Sequence, residues 1–131
     1  MDKWKILKED KMKILKTNVV ISDRRGELEE IAKTGLWQQL NRVKTNQGAK
    51  RGNHYHEHTS ELHYVLSGEL RLHIRDLKTN EEWDYLFGEG DCFVVEPYEF
   101  HTLEHLTDVD YIVLFSERFD PETPDLHKDE T

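Results

Sequence analysis

The stretch RGNHYHEHTSELHYVLSG, residues 51–68, carries four of the eight histidines of the chain. His54 and His56 lie two positions apart, and residues at that spacing share one face of a β-strand. Glu61 lies five positions further on, so it faces the histidine pair only if the chain bends between them. The stretch therefore predicts a metal site, a proton-transfer site or a histidine-rich surface strand, and its spacing leaves these three interpretations open.

Short alternating segments on both sides of this stretch predict the fold class. Apolar and polar residues alternate strictly in Glu69–Asp76, ELRLHIRD, as in a half-buried strand. Asp91–Glu96 and Asp110–Phe115 are apolar runs of strand length, whereas Leu36–Val43 fits either a strand or a helix. Turn residues rich in glycine recur about every ten residues, which is typical of an all-β sandwich or barrel.

The composition limits the class of protein. A chain of 131 residues predicts one domain. Its 27 acidic and 18 basic residues give a net charge of -9, which argues against nucleic acid or an anionic membrane as a partner. We expect no secretory signal and no apolar run that spans a bilayer. The lone cysteine, Cys92, excludes an internal disulfide, so we expect a cytoplasmic protein.

The chain divides into three predicted segments. Residues 1–26 form an N-terminal strand segment, and residues 27–118 form the barrel. Residues 119–131 form an acidic, proline-containing tail with little to bury, which predicts an extended strap or a frayed end.

A fourth ligand for the histidine pair is available downstream. His101 follows the Asp91–Glu96 strand, in the sequence EPYEFHTLEH. Three histidines and one carboxylate suit a borderline divalent ion such as Zn, Mn, Fe, Co or Ni, and the spacing does not select among them.

Two motifs resemble those of the cupin superfamily. The pattern His54-x-His56-x4-Glu61-x6-Gly68 is similar to the first cupin motif at its own spacing. The segment from Gly90 to His105 has the spacing of the second motif, but three of its residues differ from those usual in the family: Glu96 instead of proline, Tyr98 instead of glycine and His105 instead of asparagine.

The cupin resemblance implies both a fold and a metal site. The implied fold is a small antiparallel β-barrel of the jelly-roll type, also called a double-stranded β-helix. The implied cofactor is one divalent ion, with zinc first, held inside the barrel by His54, His56, Glu61 and His101. The resemblance also implies a homodimer, for which exposed aromatic residues would provide an interface; Trp4, Trp37 and Trp83 are expected to cover the barrel or such a contact.

A narrower resemblance involves three segments: SDRRGELEEI at 22–31, AKRGNHYH at 49–56 and ERFDPETPD at 117–125. They are similar to cupins that act on nucleotide-linked keto-sugars, namely 3,5-epimerases, 3,4-ketoisomerases and the cupin domain of capsular-polysaccharide reductases. In metal-free members of this group, the resemblance implies that the histidine after RG transfers protons and the arginine binds diphosphate. In the capsular-polysaccharide type it implies a zinc ion.

Chemistry on a keto-sugar needs a base beside the carbon that loses its proton and a group that stabilises the enolate oxygen. A divalent ion supplies the second function as a Lewis acid. His63 lies two positions after Glu61, so the two side chains would point to the same face of a strand. His63 is the first candidate for the base, because imidazole titrates near neutral pH. His58 and Tyr111 are the next candidates.

A basic cluster in this acidic chain is the candidate for substrate binding. It consists of Arg51, Lys50 and Arg42 together with Lys44. A diphosphate would accept charge-assisted hydrogen bonds from such a cluster. The histidines outside these sets are expected to have lesser roles: His105 beside the site or on the surface, His73 on a solvated strand face and His127 in the tail with no function.

The leading prediction is a metal-binding isomerase or epimerase that acts on a keto-sugar or nucleotide sugar in carbohydrate or polysaccharide precursor metabolism. A metal-dependent dioxygenase or another small-molecule enzyme on the same scaffold is the first alternative. A non-enzymatic small-molecule-binding protein is the second.

Overall fold

The computed structural model describes residues 13–129. Within this range the chain forms eleven β-strands and no helix, so no segment of it could span a membrane as a helix. The strands are β1 (Lys13–Leu15), β2 (Asn18–Asp23), β3 (Gly26–Glu30), β4 (Gln39–Thr45), β5 (Lys50–His54), β6 (Glu61–Ser67), β7 (Leu70–Asp76), β8 (Glu82–Phe87), β9 (Cys92–Val95), β10 (Glu99–His105) and β11 (Val109–Phe115).

The strands form two larger sheets and one separate hairpin. The five-stranded sheet has the order β1-β9-β6-β11-β4, and the four-stranded sheet has the order β5-β10-β7-β8. Every pair in them is antiparallel. The hairpin β2–β3 is a third, two-stranded sheet. The expectation of an all-β, antiparallel fold is confirmed.

The core lies between the two larger sheets because their alternating apolar side chains face each other. Phe87 of the four-stranded sheet stacks on Phe93 of the five-stranded sheet, with ring centroids 4.2 Å apart. Within residues 13–129 no strand pairing joins the two sheets into a closed ring. The arrangement is therefore an open sandwich of two sheets, whereas the predicted barrel would be closed.

The tryptophans and the cysteine have packing roles. Trp83 packs against the main core, and Trp37 packs against a smaller cluster of Leu62, Cys92 and Val94. Cys92 is fully buried, and burial raises the pKa of its thiol to about 12, which keeps it protonated and unreactive. The expected role of Trp4 lies outside the described residues, and the homodimer stays a prediction.

Candidate functional site

The close approach of β5 and β10 brings the predicted histidines together. His54, the last residue of β5, is the direct partner of His101 on β10. Gly52 permits this approach: its φ is +92°, and a Cβ atom at this position would lie 2.5 Å from the carbonyl oxygen of His101. The register shifts between His101 and Thr102, opposite Gly52 and Asn53, so the two strands meet at a bulge.

Three imidazoles converge at this point. His54, His56 and His101 each offer a ring nitrogen, and these nitrogens all lie within 4.8 Å of one another. The ring centroids are 4.7 Å apart for His54 and His101, and 4.9 Å apart for His54 and His56. His56 and His101 are buried and His54 is half-buried, so the cluster is not a surface strand of histidines.

Glu61, the first residue of β6, completes the cluster. Its Oε2 atom lies 3.2 Å from Nε2 of His56, and its Oε1 atom lies 3.2 Å from Nε2 of His63 and 3.8 Å from Nε2 of His101. Burial alone would raise the pKa of Glu61, but the surrounding imidazoles outweigh this effect and hold the pKa well below its ordinary value. Glu61 is therefore a buried carboxylate.

Hydrogen bonds to carbonyl oxygens orient two of the imidazoles. Nδ1 of His101 donates to the carbonyl oxygen of Glu99 at 3.0 Å, and Nδ1 of His56 donates to that of Asp125 at 2.7 Å. Because a carbonyl oxygen only accepts, the proton of each neutral ring lies on Nδ1, and Nε2 presents a lone pair toward Glu61. Metal-binding histidines are commonly fixed in this way.

The donor set fits a cation. Burial lowers the pKa of His101 to about 4, so this ring is neutral near pH 7. Burial also opposes protonation of His56, but Glu61 and Asp125 outweigh it and raise the pKa of His56. Nε2 of His56 is buried and makes no aligned hydrogen bond to any described residue, although a carboxylate oxygen of Glu61 lies 3.2 Å away. Lone pairs that face an ionised carboxylate need a proton or a metal ion between them.

The cluster forms one wall of a cavity of about 550 Å³. The predicted site residues that line it are His54, Glu61, His101, His63, Tyr111, Arg51 and Arg42. His56 faces a smaller cavity of about 230 Å³ on the other side of the cluster. His58 and Lys50 are exposed and line neither cavity.

His63 and Tyr111 lie side by side in the cavity wall, with ring centroids 6.0 Å apart. Nε2 of His63 faces Glu61 at 3.2 Å, and its buried Nδ1 finds no hydrogen-bond partner among residues 13–129. Burial raises the pKa of Tyr111, so the phenol keeps its proton at neutral pH. The Tyr111 hydroxyl donates to Nε2 of His105 at 3.1 Å, because Nδ1 of His105 donates to the carbonyl oxygen of Ala49.

The basic residues differ in their availability to a ligand. Nε of Arg51 donates to Oγ1 of Thr45 at 2.7 Å, and within residues 13–129 no carboxylate pairs with this guanidinium. Arg42 forms a 2.7 Å ion pair with Asp110, so its charge is already partly neutralised. Lys44 also lines the cavity.

The main residue that the sequence interpretation missed is Asp125 in the tail. Its carboxylate accepts hydrogen bonds from the segment between His56 and Glu61, and its carbonyl oxygen orients His56. His127, for which no function was expected, has a structural role: its backbone pairs with that of Tyr55 through two 2.9 Å hydrogen bonds. No local pattern indicates these contacts, since 69 residues separate His56 from Asp125.

Comparisons with known proteins agree with the narrower resemblance. The chain is 29% identical over 110 residues to the UDP-2-acetamido-2,6-beta-L-arabino-hexul-4-ose reductase of Pseudomonas aeruginosa, a match that covers 81% of this chain and 30% of the reductase. The crystal structure of the capsular polysaccharide assembling protein CapF from Staphylococcus aureus superposes with a TM-score of 0.66 at 29% identity, over 89% of this chain and 33% of CapF. The chain thus spans about a third of the length of these relatives.

A more distant neighbour shares the fold over nearly its whole length. QdtA, a sugar 3,4-ketoisomerase from Thermoanaerobacterium thermosaccharolyticum crystallised with TDP, superposes with a TM-score of 0.72 at 17% identity, over 91% of this chain and 88% of QdtA. The resemblance to capsular-polysaccharide and ketoisomerase proteins is therefore confirmed at the level of fold, while the wider cupin assignment stays a prediction.

The family itself follows from a match over most of the chain. The model of the polysaccharide biosynthesis C-terminal domain matches residues 21–127, which include both larger sheets apart from β1, the histidine cluster and the tail as far as His127. The chain belongs to the polysaccharide biosynthesis C-terminal domain family.

Proposed function

We propose that this chain holds one divalent metal ion through His54, His56, Glu61 and His101 and catalyses proton transfer beside the carbonyl group of a nucleotide-linked keto-sugar. The observation that carries this proposal is the pair of Nε2 atoms, on His56 and His101, directed at a buried, ionised carboxylate on a cavity wall. Zinc is the first expectation because the chain resembles the capsular-polysaccharide type, for which the resemblance implies zinc; three imidazoles and a carboxylate would equally suit other borderline ions.

The bound ion would supply Lewis-acid stabilisation of the enolate oxygen that forms when the substrate loses a proton. The protein residues supply the proton transfers. His63 is the base: its Nε2–H donates to Glu61, which leaves Nδ1 with a lone pair and no partner in the described part of the chain, and Glu61 stabilises the imidazolium that forms. Tyr111, a protonated phenol beside His63, is the acid: it gives the substrate the proton that it otherwise donates to His105, and the proton taken by His63 then returns to the Tyr111 oxygen through solvent, which restores both groups.

A basic side of the same cavity would receive the nucleotide diphosphate. Arg51 and Lys44 line the cavity, and Arg51 is held by Thr45 without a carboxylate partner in the described range. Arginine binds diphosphate oxygens through charge-assisted hydrogen bonds. The crystal complex of QdtA with TDP and the UDP-sugar in the name of the Pseudomonas reductase support a nucleotide sugar as the ligand class.

Metal content tests the first half of the proposal. Untagged protein prepared without chelator is compared with His56→Ala by inductively coupled plasma mass spectrometry. His73→Ala is the matched control, because the half-exposed His73 pairs with Glu82 and Asp84, away from the cluster. We expect about one divalent ion per chain in the wild type and the control, and a loss in His56→Ala. Wild-type protein that binds no added zinc, manganese or iron would contradict the metal site.

Ligand binding and isotope exchange test the second half. A panel of UDP- and TDP-linked keto-sugars is screened by thermal shift, and Arg51→Ala is compared with its neighbour Lys50→Ala, which lies outside the cavity. We expect a rise in melting temperature that is lost in Arg51→Ala and kept in Lys50→Ala. In D2O, NMR should show deuterium entering the carbon beside the carbonyl, and this exchange should stop in His63→Gln. No shift and no exchange with any nucleotide sugar would overturn the assignment of substrate.

A further inference from the structure

The C-terminal tail is fastened over the site. Residues 119–129, here called the strap, cross the segment between β5 and β6. Phe119 donates its backbone N–H to the Gln39 side chain at 2.8 Å, His127 pairs with Tyr55, and Asp129 forms an ion pair with Arg75. The strap is therefore attached along its length and is not a frayed end.

One residue of the strap makes most of the contacts with the 57–59 segment. Oδ1 of Asp125 accepts from the backbone N–H of Glu57 at 2.8 Å. Its Oδ2 accepts from the backbone N–H groups of His58 and Thr59 and from the Thr59 hydroxyl, each at 2.9 Å. These are the donors of a segment that has no strand pairing of its own, so the carboxylate takes the place of a sheet neighbour.

The same residue orients the adjacent histidine through its backbone. With the carboxylate held by the 57–59 amides, the carbonyl oxygen of Asp125 lies 2.7 Å from Nδ1 of His56. The hydrogen bond fixes the proton of the neutral ring on Nδ1 and presents the Nε2 lone pair to the cluster. Side chain and backbone of one residue thus determine both the path of the loop and the tautomer of His56.

We propose that Asp125 is the positioning residue that makes the site competent to bind its cation, so that the strap is a structural part of the site and not an appendage. This inference rests on the proposed metal site. It assigns the strap a role that the motif residues between His54 and His101 do not supply by themselves.

The test uses the full chain with Asp125→Ala and Asp125→Asn. The matched control is Asp120→Ala, since Asp120 is also in the strap but, among the described residues, accepts its hydrogen bonds from Glu122 and Thr123 of the strap itself. Long-range ¹H–¹⁵N NMR of metal-free protein at pH 8.5 reports the tautomer of His56. We expect protonation on Nδ1 in the wild type and Asp120→Ala, and averaged tautomers in Asp125→Ala.

Zinc affinity, measured by competition with a chromogenic chelator, is the second readout. We expect it to fall about 10- to 100-fold in Asp125→Ala, which is the usual effect of removing a partner that orients a ligand. Asp125→Asn keeps one acceptor oxygen, so its zinc affinity should lie between those of the wild type and Asp125→Ala. An unchanged tautomer and affinity in Asp125→Ala would overturn the proposal. If both substitutions unfold the metal-free chain, Asp125 is a determinant of the fold and the proposal also fails.

The outcomes separate this inference from the proposed function. A wild-type chain that binds no zinc refutes the metal site, whereas the tautomer of His56 still reports whether Asp125 orients the ring. A chain that binds zinc equally well with and without the Asp125 carboxylate refutes the positioning role alone.

Discussion

Two histidines of the cluster, His101 on β10 and His56 in the segment between β5 and β6, are oriented by opposite means. His101 lies in the middle of a three-strand ladder and donates to the carbonyl oxygen of Glu99, two residues away on its own strand. His56 lies beyond the end of β5 and donates to a carbonyl oxygen 69 residues away. One ring is oriented by the sheet, and the other by the strap.

The difference shows that the site has a rigid half and a half that is assembled by a long-range contact. A strand residue inherits its direction from the ladder of hydrogen bonds on both sides. A residue in an irregular segment has no such ladder, so its direction depends on whichever groups satisfy the local amides. Substitutions on the two sides should therefore have different consequences for stability and for metal binding.

The largest effect is expected where the two halves meet, at Glu61. Glu61→Gln keeps the shape of the side chain but removes the negative charge that faces both Nε2 lone pairs. We expect zinc affinity to fall by more than about 100-fold, beyond the loss that follows removal of an orienting partner. Competition with a chelator measures the zinc affinity. The control is Glu104→Gln, because Glu104 lies on β10 opposite Lys50 of β5. Wild-type affinity in Glu61→Gln would mean that the histidines alone hold the ion.

The next effect concerns the rigid half, through Gly52. Gly52→Ala places a methyl group 2.5 Å from the carbonyl oxygen of His101, and the backbone there has little room to move. Gly48→Ala is the control, because its φ of +86° is similar but nothing lies within 4 Å of the added Cβ. Both substitutions carry the left-handed backbone cost of about 1–2 kcal/mol, and only Gly52→Ala adds the clash.

Urea unfolding of the metal-free chains measures the difference. We expect Gly52→Ala to lose about 2 kcal/mol more than Gly48→Ala, in the range of substitutions that strain a special backbone conformation. Equal losses in the two variants would show that β5 shifts away from β10 without cost, and that His101 is less firmly placed than the ladder implies.

The strands were largely predictable from the sequence, because a sandwich core requires alternation. The predicted segment Glu69–Asp76 corresponds to β7, and Asp110–Phe115 corresponds to β11. The segment Leu36–Val43 fitted the apolar pattern of either a strand or a helix. Part of it forms β4, where alternate residues are exposed at the edge of the sheet. An edge strand has a weaker hydrophobic pattern, which explains the ambiguity.

The ligand types were readable from their spacing, but side-chain direction near the bulge was not. Strict alternation would place Lys50 on the same side of β5 as His54. The chain is left-handed at Gly52 and Asn53, and the strand register shifts beside them. This irregularity exchanges the two sides of the strand, so Arg51 lines the cavity and Lys50 does not. On a regular strand His58 would point to the same side as His56, but the chain bends at residues 57–58 and leaves His58 exposed.

The smallest expected effect compares one threonine hydroxyl from each half of the site. Thr59 donates to Asp125 of the strap at 2.9 Å, and Thr102 of β10 donates to Asn53 at 2.8 Å. Each Thr→Val substitution removes one hydrogen bond at nearly constant volume. Thr59 is buried, so Thr59→Val should cost about 1 kcal/mol, and Thr102→Val, at a half-buried position, should cost less.

Zinc affinity distinguishes the two threonines more sharply than stability does. Because Thr59 helps to hold the residue that orients His56, Thr59→Val should weaken zinc binding a few-fold, which is less than the roughly 10- to 100-fold loss expected when a partner that orients a ligand directly is removed. Thr102→Val should leave binding unchanged, since the ladder keeps His101 in place without that hydroxyl. If both variants weaken binding equally, the two halves are coupled, and the strap and the sheet orient the cluster as a single unit.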